Sequence, residues 1–281
     1  MTKRLLFQLL TPVLSAILLT GLVLAYPTLA GAHPPAQGPT NAWIIWEMAQ
    51  PPQSLLLDGD TLWAGSYKGG LYQWDIETGY QAHYTSTHGL VGEDIVALAL
   101  DGSGNTLAAA VDGGLAVSGS AFSDLTPLGG ERAWDLAVNG GEIWLATLGG
   151  GVARRSSGSW TFYTTANSAL PFDDVYAVAL DGSTPWVGTI GYGLARLNGG
   201  DWVTYTLPVS ISHPVTPTTQ ITNNAIADIA VDGSGNKWLA TDGSGVVVLD
   251  NNNTNWTVYN TGNSDLPDDF VHSITLGGSD R

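Results

Sequence analysis

Pairs of acidic residues recur immediately ahead of apolar segments, and they are the first candidates for chemistry in this chain. The pairs are Glu93–Asp94, Asp173–Asp174 and Asp268–Asp269. Neighbouring carboxylates could attract a cation or accept hydrogen bonds from the hydroxyl groups of a sugar. Aspartates in such places also cap turns in loops that bind nothing, so both interpretations stay open for each residue.

Two tyrosines and several single polar residues complete a set of candidate ligand-binding residues. Tyr67 and Tyr192 could stack against a ligand, because a tyrosine ring combines a large apolar face with a polar end. The complete set is Tyr67, Lys68, His88, Glu93, Asp94, Asp112, Asp173, Asp174, Tyr192, His213, Asp242, Asp268 and Asp269.

Known catalytic and metal-binding motifs do not account for these residues. The sequence has no cysteine and contains no nucleophile elbow, phosphate-binding loop or HExxH zinc motif. The segment DGSGN, at 101–105 and again at 232–236, lacks the sixth-position Gly and twelfth-position Glu of a calcium loop and is predicted to form a hairpin turn. We therefore predict no catalytic residue, no metal ligand and no cofactor.

Composition restricts both the fold and the partners. Charged residues are 12% of the chain, hydrophobic residues are 44%, and 36 of 281 residues are glycine. These values exclude a charged helical bundle and a disordered chain, and they favour a fold with many turns. The formal net charge of −16 repels phosphate backbones, so we expect no nucleic-acid partner.

A repeated unit must position the candidate residues. Five times an apolar run ends in an Asp or Asn turn and is followed by a second apolar run, and the turn residues are Asp58, Asp101, Asn139, Asp181 and Asp232. Their spacings of 43, 38, 42 and 51 residues are typical of the blades of a β-propeller. A sixth copy begins at 272–278.

Each unit is predicted to contain four antiparallel strands, which we name A to D in chain order. Strands A and B flank the tight turn, strand C follows a glycine, and strand D carries aromatic residues three apart, as in Trp160 and Tyr163. In a propeller the loops from D to the next A, and from B to C, open on one face. The candidate residues lie in those loops, which we call the loop face.

The sequence predicts five complete blades and a partial closing blade. The segment Trp43–Ile44–Ile45–Trp46 fits strand D but precedes the first strand A, and the chain stops just after a sixth strand A. We interpret this arrangement as a propeller truncated before it closes. The loop 206–225 is longer than its equivalents and contains three prolines, so we expect it to overhang the loop face.

The N-terminal segment reads as an export signal. Lys3 and Arg4 precede an apolar stretch that ends near the small residues Ala30–Gly31–Ala32. We expect residues 1–32 to be a signal peptide, 33–42 a linker and 43–281 the propeller. The apolar stretch is long, so an uncleaved membrane anchor remains open, and either alternative places the rest of the chain in the periplasm or outside the cell.

The segments NSALPFDDVYAVALDGSTPWVGTIGYGLARLNGGDWVTY (167–205) and NSDLPDDFVHSITL (263–276) resemble the two-component regulator propeller repeat. The resemblance covers about residues 43–281 and implies an all-β propeller of four-stranded blades that acts as an extracytoplasmic sensor, in many cases of carbohydrates. The partner would then be a small molecule or glycan, or a protein bound through the propeller face.

Two other functions remain open at this stage. A propeller lyase resembling streptogramin lyases would need a histidine base, a glutamate and a divalent metal, for which His88 and Glu93 are the available pair. A surface or structural repeat protein that binds partners through the propeller face would need no such pair.

Overall fold

Five four-stranded antiparallel sheets make up the fold. The computed structural model describes residues 50–119, 121–125, 131–207 and 225–277, and its regular structure there is strand apart from one 3-10 turn, Ser86–His88. Every sheet has its strands in chain order. The predicted all-β architecture of four-stranded units is therefore confirmed, and the arrangement is propeller-like.

The strand bounds follow the repeat. Sheet 1 holds β1 (Pro52–Asp58), β2 (Thr61–Ser66), β3 (Gly70–Asp75) and β4 (Gly79–Tyr84). Sheet 2 holds β5 (Ile95–Leu100), β6 (Thr106–Ala110), β7 (Gly114–Val117) and β8 (Ser123–Asp124). Sheet 3 holds β9 (Arg132–Asn139), β10 (Glu142–Leu148), β11 (Val152–Ser156) and β12 (Ser159–Tyr163). Sheet 4 holds β13 (Val175–Asp181), β14 (Thr184–Thr189), β15 (Gly193–Asn198) and β16 (Asp201–Tyr205). Sheet 5 holds β17 (Ile226–Val231), β18 (Lys237–Thr241), β19 (Val246–Leu249) and β20 (Trp256–Tyr259).

The DGSGN segments are hairpin turns, as the sequence predicted. In both copies the aspartate carboxylate accepts hydrogen bonds from its own turn: Asp101 binds the backbone N–H groups of Ser103 and Asn105 at 2.8 and 2.9 Å. Asp232 makes the equivalent bonds at 2.9 Å each. These oxygens are occupied within the turn, which explains why aspartate recurs there.

A buried hydroxyl closes the turn between strands B and C. In sheet 4, Thr189 Oγ1 donates to the Gly193 carbonyl at 2.9 Å, and Ser66, Thr147 and Thr241 do the same in sheets 1, 3 and 5. Gly193 has a φ of 82°, and a β-carbon there would lie 2.7 Å from the Tyr205 carbonyl oxygen. Glycine is therefore required at this position by both backbone conformation and close packing.

Apolar side chains of successive sheets interlock to form the core. Leu107 and Leu115 of sheet 2 pack with Leu136 and Leu145 of sheet 3 in one cluster. Equivalent clusters lie between sheets 1 and 2, 3 and 4, and 4 and 5. The first strands of neighbouring sheets contact one another in series from β1 to β17, so they form the inner layer of the assembly. Stacking of this kind buries both faces of the middle sheets.

Sheet 1 departs from this pattern on one face. Leu55 and Leu57 occupy positions that are covered in the other sheets, yet they are 51% and 60% exposed. At the other end of the described chain, Val271 and Ile274 pack on sheet 5, but 271–277 pairs with no strand among the described residues. The sixth copy therefore covers sheet 5 and is bonded to it, through the Val271 N–H to the Thr241 carbonyl at 3.0 Å and the Ile274 N–H to Asp228 at 2.8 Å.

Several expectations concern residues outside the described ranges. They are the signal peptide or anchor at 1–32, the linker at 33–42, the strand predicted at Trp43–Trp46, His213 and most of the loop 206–225. Within the residues that are described, no helix is long and apolar enough to cross a membrane.

Candidate functional site

Backbone hydrogen bonds join the two kinds of loop that make up the loop face. The N–H of Gly151, in the B–C turn of sheet 3, donates at 2.9 Å to the carbonyl of Asp173 in the following D–A loop. Gly245 and Asp269 repeat this bond at 2.7 Å. The acidic pairs are thereby held beside the preceding sheet's turn at the start of each inner strand.

In each of the three acidic pairs, one acid closes its own loop. Its carboxylate accepts hydrogen bonds from the backbone N–H and the hydroxyl of a Ser or Thr early in the same loop. The residue couples are Asp173 with Thr165, Asp269 with Thr261 and Glu93 with Ser86. The Ser86 hydrogen bonds hold the pKa of Glu93 below its usual range. These three carboxylates have a structural role in the loops.

His88 is also part of the loop structure. Its Nδ1 accepts a hydrogen bond from the Thr85 backbone N–H at 3.1 Å, and its ring lies edge-on to Tyr84 at 5.9 Å. Glu93 is bonded to Ser86 and makes no hydrogen bond to His88 among those described. The two residues that a lyase would need therefore each hydrogen-bond to a neighbour within their own loop.

Four candidates come together between sheets 1 and 2. Lys68 lies over the Tyr67 ring at 5.0 Å, and its interaction with Tyr67 raises its pKa. Asp94 accepts a 2.6 Å hydrogen bond from Gln53 Nε2, and the Asp94 N–H donates to Asp112 Oδ1 at 3.3 Å. Burial raises the pKa of Asp94, and the charge of Asp112 adds to that rise. This cluster offers one cation and two carboxylates to a polar ligand.

The remaining candidates are more dispersed. Tyr192 is 54% exposed and stacks on Phe172 with ring centroids 4.7 Å apart. One face of the Tyr192 ring therefore packs on Phe172, and the rest of the ring is open to solvent. Asp268 accepts the Phe270 N–H at 3.0 Å, which is a local turn contact. His213 lies outside the described residues.

Sequence reasoning missed an aromatic pair at the start of the inner strands. Trp134 and Tyr176 are half-buried, with ring centroids 5.0 Å apart. Burial raises the pKa of Tyr176, the charges of Asp174 and Asp242 contribute to that rise, and Arg132 opposes it. The pair therefore lies within a group of charged side chains that includes two of the predicted acids.

A repeated bulge places this pair. Each inner strand has a register shift near its start, which leaves one residue unpaired. The unpaired residues are Gln53, Val96, Trp134, Tyr176 and Ala227. A bulge re-aims a side chain, and the aromatic residues at this position in consecutive units were the signal available in the sequence.

Two further acids were missed one residue beyond the bulge. Asp135 accepts the N–H groups of Leu136 and of Val178 in sheet 4, both at 2.8 Å. Asp228 accepts those of Ile229 at 2.7 Å and Ile274 at 2.8 Å. Each carboxylate thus bonds its own strand to the segment that follows its sheet.

Burial raises the pKa of both carboxyls. The pKa of Asp135 is raised to about 7, first by burial and then by the negative charge of Asp228, and that of Asp228 is raised to about 6 by burial. Both side chains keep some solvent-accessible surface although protein atoms surround them densely. Their hydrogen-bonding roles are structural, and their titration falls near neutral pH.

Among the described residues, no group of three or more His, Asp or Glu side chains converges on a point where a metal could bind. The loop face instead presents exposed or half-exposed aromatic rings with neighbouring carboxylates and two cations, Lys68 and Arg132. Such a surface can bind a polar ligand by stacking and hydrogen bonding.

The fold and this face define a propeller-like β protein with a polar and aromatic surface on its loop face. Solved structures of low sequence similarity share the fold. The extracellular domain of a protein described as a hybrid two component system from B. thetaiotaomicron matches with a TM-score of 0.63 and 22% identity, over 78% of this chain and 29% of that one. PorZ, a surface component of the type-IX secretion system of Porphyromonas gingivalis, matches with a TM-score of 0.58 and 17% identity, over 79% of this chain and 36% of PorZ.

An enzyme also shares the fold. Virginiamycin B lyase from Staphylococcus aureus, solved in a catalytically inactive form with quinupristin, matches with a TM-score of 0.55 and 14% identity, over 76% of this chain and 71% of the lyase. This chain spans about a third of the length of the first two proteins. No protein-family model and no curated protein matches the sequence.

Proposed function

We propose that this protein is the ligand-binding part of an extracytoplasmic sensor of the two-component type. The shared fold with domains described as extracellular parts of two component systems supports this proposal. The basic and apolar N-terminal segment of the sequence supports export. The residues of the two-component regulator propeller repeat quoted above support the same function.

The Trp134–Tyr176 pair is the observation that carries the proposal. Two large rings 5.0 Å apart remain half-exposed at the start of adjacent inner strands, where the fold alone would accept small residues such as Ala227. Partly exposed aromatic rings beside hydrogen-bonding groups are typical of small-molecule sites. Asp174, Asp242 and Arg132 surround Tyr176 and would fix the orientation of the ligand.

A neutral polyhydroxylated ligand, such as a carbohydrate, fits this surface best. Carboxylates accept hydrogen bonds from hydroxyl groups, while the apolar faces of the sugar ring can lie on tryptophan and tyrosine. The net charge of −16 weakens the binding of anionic ligands. We propose no nucleic-acid partner, and contact with a membrane only through an uncleaved N-terminal anchor.

A glycan array with the exported protein tests the proposal, followed by calorimetric titration of any glycan retained. We expect Trp134→Ala to weaken binding by at least about tenfold, because an aromatic contact of this kind is worth about 1 kcal/mol or more beyond its buried area. Tyr80→Ala is the matched control, since Tyr80 is exposed on the outermost strand of sheet 1. Equal affinity of the Trp134 variant and the wild type would contradict the proposed site.

We also propose that the sheets belong to a ring with a closing blade. The exposure of Leu55 and Leu57 on β1 supports this proposal, because the equivalent residues of the other sheets pack against a preceding sheet. The packing of Val271 and Ile274 on sheet 5 supports it from the other side. The test introduces one cysteine beside Leu57 and one beside Ile274 and measures the intact mass after cross-linking. We expect a cross-link within one chain, because ring closure brings these two surfaces together at the closing blade.

A further inference from the structure

Two junctions between sheets, on the face opposite the loop face, differ in the side chains that fill them. Between sheets 4 and 5, Lys237 is fully buried. Its Nζ lies 3.2 Å from an oxygen of Asp181, donates to the Gly235 carbonyl at 2.8 Å, and lies 4.5 Å from the centroid of the Trp186 ring. The chain therefore fills this junction with its own primary ammonium group.

The junction between sheets 3 and 4 lacks that group. Pro185 stands where sheet 5 has Lys237, because each directly precedes the tryptophan of strand B. Trp144 takes the place of Trp186, and Arg154 lies 5.2 Å from its ring centroid. The equivalent arginine of sheet 4 keeps nearly the same distance, 5.4 Å. The two junctions share their tryptophan and arginine and differ in the lysine, in Asn139 for Asp181 and in Glu142 for Thr184.

A cavity of about 360 Å³ occupies the position that the lysine would fill. Its floor includes the buried Trp144 and Pro185, and its exposed rim includes Ser183 and Gly199. The same space between sheets 4 and 5 is crossed by the Lys237 side chain. With proline at position 185, the site between sheets 3 and 4 stays open. Similar walls between sheets 4 and 5 hold the ammonium group of Lys237.

Acceptors for an ammonium group line the cavity. Asn139 replaces Asp181, and because its Nδ2 donates to the Gly182 carbonyl at 2.9 Å, its Oδ1 is directed away from that bond. Glu142 also lines the cavity, and its hydrogen bond with Arg154 holds its pKa below the usual range, so it is ionised at neutral pH. A cation over an indole face gains about 0.5–2 kcal/mol.

Anionic ligands fit less well. The Trp144 Nε1 makes no full hydrogen bond among the described residues, yet it lies near enough to Glu142 to contribute to the lowering of its pKa. An anion would meet the Glu142 carboxylate in the cavity and a chain of net charge −16 around it. An ammonium group meets the Glu142 carboxylate, the Asn139 amide oxygen and the indole ring, while Arg154, which also lines the cavity, is paired with Glu142.

We propose that the cavity between sheets 3 and 4 binds the primary ammonium group of a small organic molecule. The site is defined by Trp144, Asn139, Glu142 and Pro185, and it is separate from the aromatic pair on the loop face. The ammonium group of the ligand occupies the place that Lys237 Nζ takes between sheets 4 and 5. This inference does not depend on the proposed sensor function.

Titration of the full chain with n-butylammonium chloride at pH 7 tests the site, with n-butanol and butyrate as neutral and anionic comparisons. We expect calorimetry to show one site with a dissociation constant in the millimolar range, which is well within the ceiling of about 1.5 kcal/mol per heavy atom for so small a ligand, and weaker binding of both comparisons. Equal binding of all three compounds, or no binding of n-butylammonium, would overturn the proposal.

Filling the cavity from the chain is the sharper test. In Pro185→Lys the introduced ammonium group competes for the site, so we expect n-butylammonium affinity to fall at least about tenfold. Pro185→Ala is the matched control, because it removes the proline without supplying a cation and should keep the affinity within about threefold. Unchanged affinity in a folded Pro185→Lys protein, verified by its thermal transition, would refute the assignment.

The converse variant tests the comparison between junctions. Lys237→Ala empties the junction of sheets 4 and 5 and leaves Asp181 and Trp186 in place, so n-butylammonium should bind there too. We expect the number of sites to rise from one to two. We also expect the amine to raise the thermal midpoint of the variant by more than it raises that of the wild type. A stoichiometry of one in the folded variant would mean that an ammonium group does not recognise these walls.

Discussion

The raised pKa values of Asp135 and Asp228 predict that acidification stabilises the fold. Because the pKa of Asp135 in the folded protein, about 7, exceeds that of an unfolded aspartate, its ionisation costs folding free energy. That cost is absent below about pH 4 and complete above about pH 7. Asp228 behaves alike with a folded pKa of about 6. The free energy of unfolding should therefore fall as the pH rises from 5 to 8.

The magnitude follows from the size of the pKa changes. One pKa unit corresponds to about 1.4 kcal/mol, so between pH 8 and pH 5 Asp135 contributes up to about 3 kcal/mol and Asp228 up to about 1 kcal/mol. Both carboxyls retain some solvent-accessible surface and they interact with each other, which reduces the sum. We expect the wild type to be more stable at pH 5 than at pH 8 by about 2–4 kcal/mol.

Asp135→Asn isolates this contribution. Asparagine has one oxygen for the two backbone N–H groups that Asp135 accepts, so the variant should be less stable than the wild type at pH 5 by about 1–2 kcal/mol. Asparagine does not ionise, so the two stabilities should converge or cross by pH 8. Asp135→Ala is a second variant, since Ala177 occupies the equivalent position in sheet 4.

Urea unfolding at pH 5, 6, 7 and 8, followed by tryptophan fluorescence and circular dichroism, measures the effect. Comparison of the variant with the wild type cancels the contributions of the other ionisable groups. Asp60→Asn, in an exposed turn, is the control and should keep the slope of the wild type. An identical pH dependence in the wild type and in Asp135→Asn would refute the reasoning.

Three other substitutions test the repeated local contacts, each by urea unfolding at pH 7. Thr189→Val keeps the side-chain shape but removes the bond to the Gly193 carbonyl, and we expect a loss of about 1 kcal/mol; no loss would mean that the bond is dispensable. Gly193→Ala should cost about 1–3 kcal/mol, because of its φ of 82° and the nearby Tyr205 carbonyl, and an unchanged midpoint would contradict the required backbone conformation. Asp232→Ala should cost about 1 kcal/mol through its bonds to Asn236 and the turn, and calcium should not stabilise the wild type; calcium-dependent stabilisation would favour a metal loop.

The repeat was readable from the sequence because each turn leaves a local signature. Asp–Gly turns, the tryptophan of strand B and the glycine before strand C all act within a few residues, so their spacing alone predicts four strands for each unit. The aromatic residues of strand D were equally local. The structure confirms these units from β1 to β20.

The candidate site was only partly readable, because its composition depends on contacts between units. Asp173 and Asp269 could not be distinguished from ligand-binding acids until their bonds to Thr165 and Thr261 were visible. The bulge that presents Trp134 is a backbone irregularity, and no residue type marks it uniquely. Asp135 was hidden for a related reason: it lies inside an apolar run, and its partner Val178 belongs to the next unit.

The hydroxyl bond that closes the B–C turn in sheets 1, 3, 4 and 5 has an evolutionary consequence. Donor and acceptor lie four residues apart, so a gene segment that encodes one unit carries both ends of the bond when it is duplicated. The bond between Asp135 and Val178 joins two units. Duplication of a single unit therefore does not reproduce it unless the neighbouring unit is also suitable. Duplication can therefore lengthen such a gene without disturbing the turns, while the contacts between copies diversify afterwards, as lysine and proline have at positions 237 and 185.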